Sequence, residues 1–266
     1  MASRADFEAQ LQVELPRDIR LVLVTDLDGT LLAGELQQRQ QLYDWLEAGS
    51  EQVLHFYATG RELSSIAALF VDPHHAWLRQ PHVVISDVGS TVACGASLAE
   101  IPLVVSEIEA LWRPCVAQVR ALTQGQPGLS PQPVLFQRRH AFYAEPEQMD
   151  PDLIDRLTEA GAEVVFSDGR YLDVLPPGVN KGTTLLRVLQ LLELEAVPVV
   201  VAGDSLNDLA MFQTGHPGVM VGNAEPALKE HLPGLPNTYL AKEHGCGGIL
   251  EGLRHFGFES LPLSSP

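Results

Sequence analysis

The sequence is poor in cysteine, in positive charge and in long apolar runs. Its three cysteines, Cys94, Cys115 and Cys246, are scattered with no metal-ligand spacing. That excludes a disulfide scaffold and a cysteine-held metal, and predicts a reducing compartment with each thiol a small buried apolar group. Positive charge is outnumbered: 17 Lys and Arg face 34 Asp and Glu, a formal net charge of -17. Such a balance excludes nucleic-acid binding through a basic face. It leaves room for a small anion held in one positive pocket or on a metal. No apolar stretch approaches the ~20 residues of a membrane-spanning helix. The N-terminal "MASRADFEAQLQVELP" has two early charges and no apolar centre of signal-peptide length. A cytoplasmic protein with no membrane partner is predicted. There are no internal repeats, and no low-complexity segment beyond the short "LPLSSP" end.

What is present is an alternation. The 266 residues are 45% hydrophobic, enough for one domain with a large insert or for two domains. After a polar, partly helical stretch over 1–15, "LVLVTD" is a short β-branched run of the kind that forms a buried parallel strand. "LQQRQQLYDWLEAG" reads as a helix, "VLHFYATG" as a strand, "RELSSIAALF" as a helix and "HVVISDVGS" as a strand. That order predicts an α/β fold, a Rossmann-like three-layer core with a parallel sheet. The middle differs: one long helix over "SEIEALWRPCVAQVRALTQ", then two β-rich stretches, "PVLFQRRHAFYAE" and "GAEVVFSDGRYLDVLP", around a helical "DPDLIDRLTEAG". An α+β block over 100–176 is therefore predicted, inserted between core segments 16–99 and 177–266. From "NKGTTLLRVLQLLEL" the first rhythm resumes, with strands "VPVVVAGDS" and "PGVMVGNA" and a closing helix "GGILEGLRHFGF".

Three of the strands end in polar residues: Asp26, Thr59 and Asp204. In an open α/β sheet the ligand crevice lies beyond the carboxyl ends of the strands, so these side chains should meet there beside Asp28. Lys181 opens a helix behind a capping Asn180, and Asp208 follows the "GDS" turn. Asp26, Asp28, Asp204 and Asp208 so close together would repel and resist ionisation unless something positive lay among them. Mg²⁺ fits that need: it takes oxygen ligands, one or two carboxylates and the oxygens of a phosphate. Thr59 and Lys181 would then offer a hydroxyl and a charge to phosphoryl oxygens. Simpler readings stand beside these. Thr59 and Asn207 are good helix caps, and Asp208 suits a helix first turn.

"DLDGT" at 26–30, "ATGR" at 58–61, Lys181 and "GDSLND" at 203–208 resemble, in order, the four motifs of the haloacid dehalogenase superfamily, phosphatase branch. The resemblance implies that Asp26 is the nucleophile and forms an aspartyl-phosphate, and that Asp28 is the general acid and base. It implies phosphate binding by Thr59, Gly60 and Lys181. Mg²⁺ would be held by Asp26, the carbonyl of Asp28 and Asp204, with Asn207 and Asp208 in support.

The long interval lies between Thr59 and Lys181, which resembles the superfamily's C2-type cap insertion. "YATGRELSS", "DVGS", "GRYLDVLPPGVNKG" and "HGCGGILEGLRHFGF" are similar to stretches of sucrose-phosphate phosphatases and Cof-type sugar phosphatases. The first motif departs from the sucrose-phosphatase form, and "LFQRRHAFYAE" carries a basic cluster where that group has a Lys and Ser-Tyr. The resemblance implies a Mg²⁺-dependent phosphatase acting on a sugar or glycosyl phosphate, in compatible-solute synthesis, as a monomer or weak dimer. Arg138, Arg139, His140, Arg170 and Asp173 are the cap candidates for substrate contact, with a solvated charged face as the plainer reading. An Arg pair facing the site would suit a carboxylate, as in a phosphoglycerate aglycone. The alternative is a phosphomannomutase-type enzyme, with the arginine cluster as its second phosphate site. A non-catalytic binding protein would have no use for Asp26, Asp28, Lys181 and Asp204 together.

Overall fold

The computed structural model describes residues 3–135 and 137–261. Phe136, in the expected β-rich stretch 133–145, and the "LPLSSP" end past Leu261 lie outside the described residues. The chain opens with α1 (Arg4–Leu11), capped by Ser3. Next come β1 (Leu21–Thr25), α2 (Leu36–Ala48), β2 (Val53–Ala58), α3 (Leu63–Val71), β3 (Val83–Ser86) and β4 (Thr91–Cys94). Helices α4 (Pro102–Trp112) and α5 (Val116–Thr123) lead into β5 (Leu129–Pro131), β6 (His140–Ala144), α6 (Leu153–Glu159), β7 (Glu163–Ser167) and β8 (Tyr171–Leu175). The chain then forms α7 (Lys181–Leu191), β9 (Val199–Gly203), α8 (Leu209–Phe212), β10 (Gly218–Met220), α9 (Pro226–Lys229), β11 (Thr238–Leu240) and α10 (Gly245–His255).

Among the described residues the larger sheet has seven strands in the order β11-β10-β9-β1-β2-β3-β4. Every neighbouring pair is parallel except β3 with β4. β1 lies in the middle, and all five of its residues are buried, which is why "LVLVT" is apolar without alternation. Successive side chains leave by opposite faces. Val22 and Val24 join α7 residues Leu185 and Val188 on one side; Leu21 and Leu23 join Leu42 of α2 and Ile249 of α10 on the other. Helices thus cover both faces, giving the three-layer α/β architecture that the alternation predicts.

The smaller sheet, β5-β6-β8-β7, is antiparallel and lies in sequence between β4 and α7. Val119 of α5 and Leu153 and Leu157 of α6 pack against Phe142 and Leu172 of this sheet. The long helix expected over 106–124 is two helices instead. Pro114 has no N–H to donate and its ring clashes with the preceding turn, so α4 ends at Trp112 and α5 starts at Val116. Helix α4 itself passes from one core to the other: Val104 and Ile108 belong to the large-sheet core, Trp112 at its end to the small-sheet core. Strands β4, β5 and β11, at four, three and three residues, were too short for periodicity to reveal.

Candidate active site

The carboxyl ends of β1, β2 and β9 meet the first turn of α7. Asp26 continues the β1 ladder by donating its N–H to the Ala202 carbonyl at 2.9 Å, and Thr59 continues that of β2 by donating to Ile85 at 2.8 Å. After Asp26 the chain makes a tight turn over 27–31 in which Gly29 has φ +76°. A Cβ at Gly29 would fall on the Asp204 carboxylate, so only glycine lets the two loops close up. The Thr30 hydroxyl donates to Asp204 Oδ1 at 2.7 Å, and Asn223 Nδ2 donates to the Gly29 carbonyl at 2.7 Å. Asn180 caps α7 by accepting from the Thr183 N–H at 2.9 Å, which sets Lys181 at the helix start.

Lys181 is fully buried. Its Nζ donates to Asp26 Oδ1 at 2.7 Å, Asp208 Oδ1 at 2.6 Å and Asn207 Oδ1 at 2.5 Å. The second oxygen of Asp208 accepts the N–H groups of Asp204 and Ser205, at 2.9 and 3.1 Å, and so shapes the loop that carries Asp204. Burial alone would lower the Lys181 ammonium, but Asp208 and Asp26 outweigh it and raise it. Burial pushes the Asp26 carboxyl well up; Lys181 opposes that, while Asp208 and Asp204 add to it. Asp204 is pushed up to about 7, by burial first and Asp208 next. Carboxylate oxygens of Asp26, Asp204 and Asp208 lie within 4.8 Å of one another. Three acids on one lysine leave negative charge uncompensated, and the donors are all oxygen, so the residues fit a hard divalent cation.

Asp28 projects into the crevice and is gripped by Arg61, whose Nε and Nη2 each donate to one carboxylate oxygen at 2.7 Å. Thr59 is buried at the end of β2, and its hydroxyl accepts the Arg61 N–H at 3.2 Å. A cavity of about 690 Å³ opens over these groups. Asp26, Asp28, Gly60, Arg61, Asp204 and Asn207 line its floor; Gln132, Arg139, Tyr143, Ser167, Tyr171 and Asp173 line the side formed by the smaller sheet.

Of the five cap candidates, two reach this cavity, Arg139 and Asp173. Arg138 is turned away, bonded to Ser90 and Thr91 and ion-paired with Glu109 and Glu100. His140 is buried against the rings of Trp112 and Phe142, and burial takes its pKa down to about 4. Arg170 is exposed and stacks over the Tyr171 and Tyr143 rings. Two residues passed over by sequence reasoning take part. Arg61 stood in plain view after Thr59 and Gly60, but nothing local said that it would pair with Asp28. Glu225 accepts the N–H of Leu206 beside the Asp204 loop and, at 3.2 Å, the N–H of Asp168 on the smaller sheet's hairpin. It carried no signal in sequence.

A profile of the sucrose-6F-phosphate phosphohydrolase family matches residues 19–257. The chain is 41% identical over 239 residues to the glucosylglycerol-phosphate synthase of Pseudomonas anguilliseptica, covering 90% of this chain and 31% of that protein. It is 30% identical over 256 residues to probable sucrose-phosphatase 2 of Arabidopsis thaliana, covering 89% of this chain and 60% of the relative. The chain therefore spans about a third to three fifths of these two relatives. The sucrose-phosphatase of Synechocystis, solved with sucrose and phosphate, superposes with a TM-score of 0.79 at 30% identity over 90% of this chain and 98% of that one. With the four motifs gathered around Lys181 and the match running through both sheets, the chain belongs to the sucrose-6F-phosphate phosphohydrolase family of the haloacid dehalogenase superfamily.

Proposed function

We propose that the chain is a phosphatase that hydrolyses a glycosyl-polyol or sugar phosphate, with 16–99 and 177–266 as catalytic core and 100–176 as cap. The observation that carries this reading is the cavity that joins Asp26 and Asp28 on its floor to a polar, aromatic wall above. Its size suits a disaccharide-sized ligand. Asp26 is the nucleophile, attacking phosphorus and displacing the sugar oxygen to give an aspartyl-phosphate. Lys181, 2.7 Å from Asp26, favours the ionised carboxylate and offsets charge on the transferring group. Asp28 protonates the departing oxygen and then takes a proton from the water that attacks the aspartyl-phosphate. Thr59 and the Gly60 N–H hold phosphoryl oxygens. Asp26, the Asp28 carbonyl and Asp204 would hold Mg²⁺, with Asn207 and Asp208 orienting that set. The ion would supply charge stabilisation for the phosphoryl oxygens. The cap side excludes water from the reaction and selects the leaving group.

The wall supports a neutral, hydroxyl-rich leaving group over a carboxylated one. Tyr143 and Tyr171 offer ring faces, and Gln132, Ser167 and Asp173 offer hydrogen bonds, while Arg139 is already paired with two carboxylates. The relatives' names favour sucrose 6-phosphate and glucosylglycerol phosphate, and a place in compatible-solute synthesis is part of this proposal. A phosphomutase reading loses its support, because Arg138 is engaged outside the cavity and the relatives named above are not mutases. A cytoplasmic location fits the cysteine usage, and among the described residues no helix is long and apolar enough to cross a membrane.

Phosphate release with Mg²⁺ tests the reading. The panel is sucrose 6-phosphate, glucosylglycerol phosphate, mannosyl-3-phosphoglycerate, trehalose 6-phosphate and mannose 6-phosphate, with Asp26→Asn as control. One neutral glycosyl phosphate is expected to stand well above the rest and to be inert with the control. Equal turnover by Asp26→Asn would overturn the mechanism, and preference for the phosphoglycerate would overturn the leaving-group assignment.

A further inference from the structure

Arg138 and Arg139 are neighbours, and both are buried, yet they serve different partners. Arg138 fixes the start of β4 to α4. Arg139 stands where the smaller sheet meets the ends of β2 and β3. Its Nη1 donates to the Gly60 carbonyl at 2.8 Å and to Asp173 Oδ1 at 3.2 Å, and its Nη2 lies 3.1 Å from Asp87 Oδ1. Asp173 belongs to β8; Gly60 and Asp87 belong to loops of the larger sheet. One guanidinium thus holds three oxygens from two sheets, a task its planar fork of donors suits.

The loop it holds is strained. Asp87 has φ +53° and Val88 φ +57°, left-handed values that a β-branched residue rarely adopts. That conformation aims the Asp87 N–H at the Arg61 carbonyl, 3.0 Å, and the Val88 N–H at the Thr59 carbonyl, 3.1 Å. The next carbonyl, Gly89, accepts from the Thr184 hydroxyl of α7 at 2.8 Å. The 87–89 turn therefore braces both the Thr59–Arg61 loop and the helix that begins with Lys181. Strain of this kind persists only where the surroundings over-determine it.

Charge makes Arg139 the keystone of this arrangement. Asp87 and Asp173 are both pushed up by burial, Arg139 opposes the shift in each, and Asp87 is among the groups that raise Asp173. With the cation removed, buried Asp173 and half-buried Asp87 lose the partner they share, and keep only the lesser help of Lys181 and of Arg138 and Thr91. We propose that Arg139 is a positioning residue that sets the Thr59–Gly60–Arg61 loop and the 87–89 turn through Gly60 and Asp87, and does so only when the smaller sheet is seated and presents Asp173. It lines the cavity, but its guanidinium is spent on Gly60, Asp87 and Asp173, and it acts through the loop.

Two measurements on Arg139→Gln test this, with the whole 266-residue chain. Hydrogen exchange needs no substrate: the amides of residues 59–61 and 87–88 are expected to exchange about tenfold faster than in the wild type, with β1 unchanged. Unaltered exchange there overturns the proposal whatever reaction the chain performs. Kinetics form the second arm, which rests on the phosphatase reading. The turnover number on the best glycosyl phosphate is expected to fall about 100-fold with KM within about threefold, as misplacement of a reacting group implies. Adding Asp87→Asn, which removes one of the two charges, is expected to restore about tenfold. A raised KM with unchanged turnover and no rescue would assign Arg139 to the substrate and overturn the proposal. Should Arg139→Gln fail to fold, Arg139→Lys keeps the charge and loses the fork; wild-type exchange and kinetics in that variant overturn the proposal equally.

Discussion

Arg61 and Asp28 form a two-pronged pair, with both carboxylate oxygens taken by one guanidinium at 2.7 Å. Asp28 is the group proposed to exchange a proton with the leaving oxygen, so its orientation is set by a residue of the adjoining strand end. Arg61 is itself braced by Ser65, which accepts from its Nη1 at 2.8 Å. Replacing Arg61 by Lys removes the fork and leaves a single point charge. The expected result is a loss of about 10- to 100-fold in kcat with the fold intact, in line with loss of positioned acid–base catalysis. Steady-state kinetics beside a melting curve check it. Unchanged kcat would show that the pair has no part in turnover.

Lys181 carries a structural charge as well as a proposed chemical one. Lys181→Met strands Asp26 and Asp208 without their buried partner. Breaking such a buried cluster from one side costs about 3–5 kcal/mol. Urea unfolding should register that loss, and Asp208→Asn in the same chain should recover part of it. Stability equal to the wild type would contradict the cluster described here.

Metal binding should be visible without any reaction. A ligand of the folded state alone stabilises by mass action, about 2.7 kcal/mol at a hundredfold excess over Kd. Mg²⁺ is therefore expected to raise the melting temperature, EDTA to reverse this, and Asp204→Asn to abolish it. Gly29→Ala should weaken the shift too, since its Cβ meets the Asp204 carboxylate and its φ of +76° disfavours any side chain. Full turnover in metal-free buffer would sink the Mg²⁺ assignment.

Acid should destabilise the chain through its buried histidines, while Asp204 and Asp26, whose carboxyls burial pushes up, act in the opposite direction. His55, inside β2, has its pKa lowered from 6.5 to about 3 by burial. Its Nε2 lies 3.0 Å from the Thr25 hydroxyl, and its N–H donates to His82 Nδ1 at 3.1 Å. His82 is lowered by burial as well. Between the two pKa values the unfolded chain binds more protons than the folded one, so stability rises with pH. The contribution of His55 is complete above pH 6.5 and is lost as pH falls towards 3. Each such group contributes a slope of about 1.4 kcal/mol per pH unit. From pH 7 to about 5 the melting temperature of His55→Gln is expected to rise progressively relative to that of the wild type, because the variant lacks this term while the Asp204 and Asp26 terms are common to both. Parallel curves for the two proteins would refute this account.

How much of this could be read from sequence follows from which signals are local. β1, β2 and β9 are legible because each is a buried apolar run leading into a polar residue, β-branched in β1 and β9 and aromatic in β2. The inserted α+β block was legible because its turns and aromatics break the first rhythm. β5 and β11 have too few residues for a period, whereas β10, as short, is marked by the apolar run "GVMV", and the break at Pro114 is masked by helix-forming residues on either side. At the site, Asp26, Lys181 and Asp204 could be named because strand ends meet by topology. The fates of Arg138 and Arg139 could not. Adjacent residues with the same charge part company over whether they face Ser90 or Gly60, and only the seating of one sheet on the other decides that.

The central position of β1 has a bearing on how the chain comes to be folded at all. One of its partners, β2, follows closely; the other, β9, arrives only after β5 to β8 have been made. During synthesis β1 therefore presents an open edge while the smaller sheet, whose antiparallel pairs are close in sequence, completes itself. Once formed, that sheet holds the end of β4 and the start of α7 closer together than an open chain would, and so shortens the gap that β9 must close. Asp208, the second carboxylate on Lys181, follows β9 in sequence, so the cluster that joins Asp26, Lys181 and Asp208 is complete only once that final pairing is made.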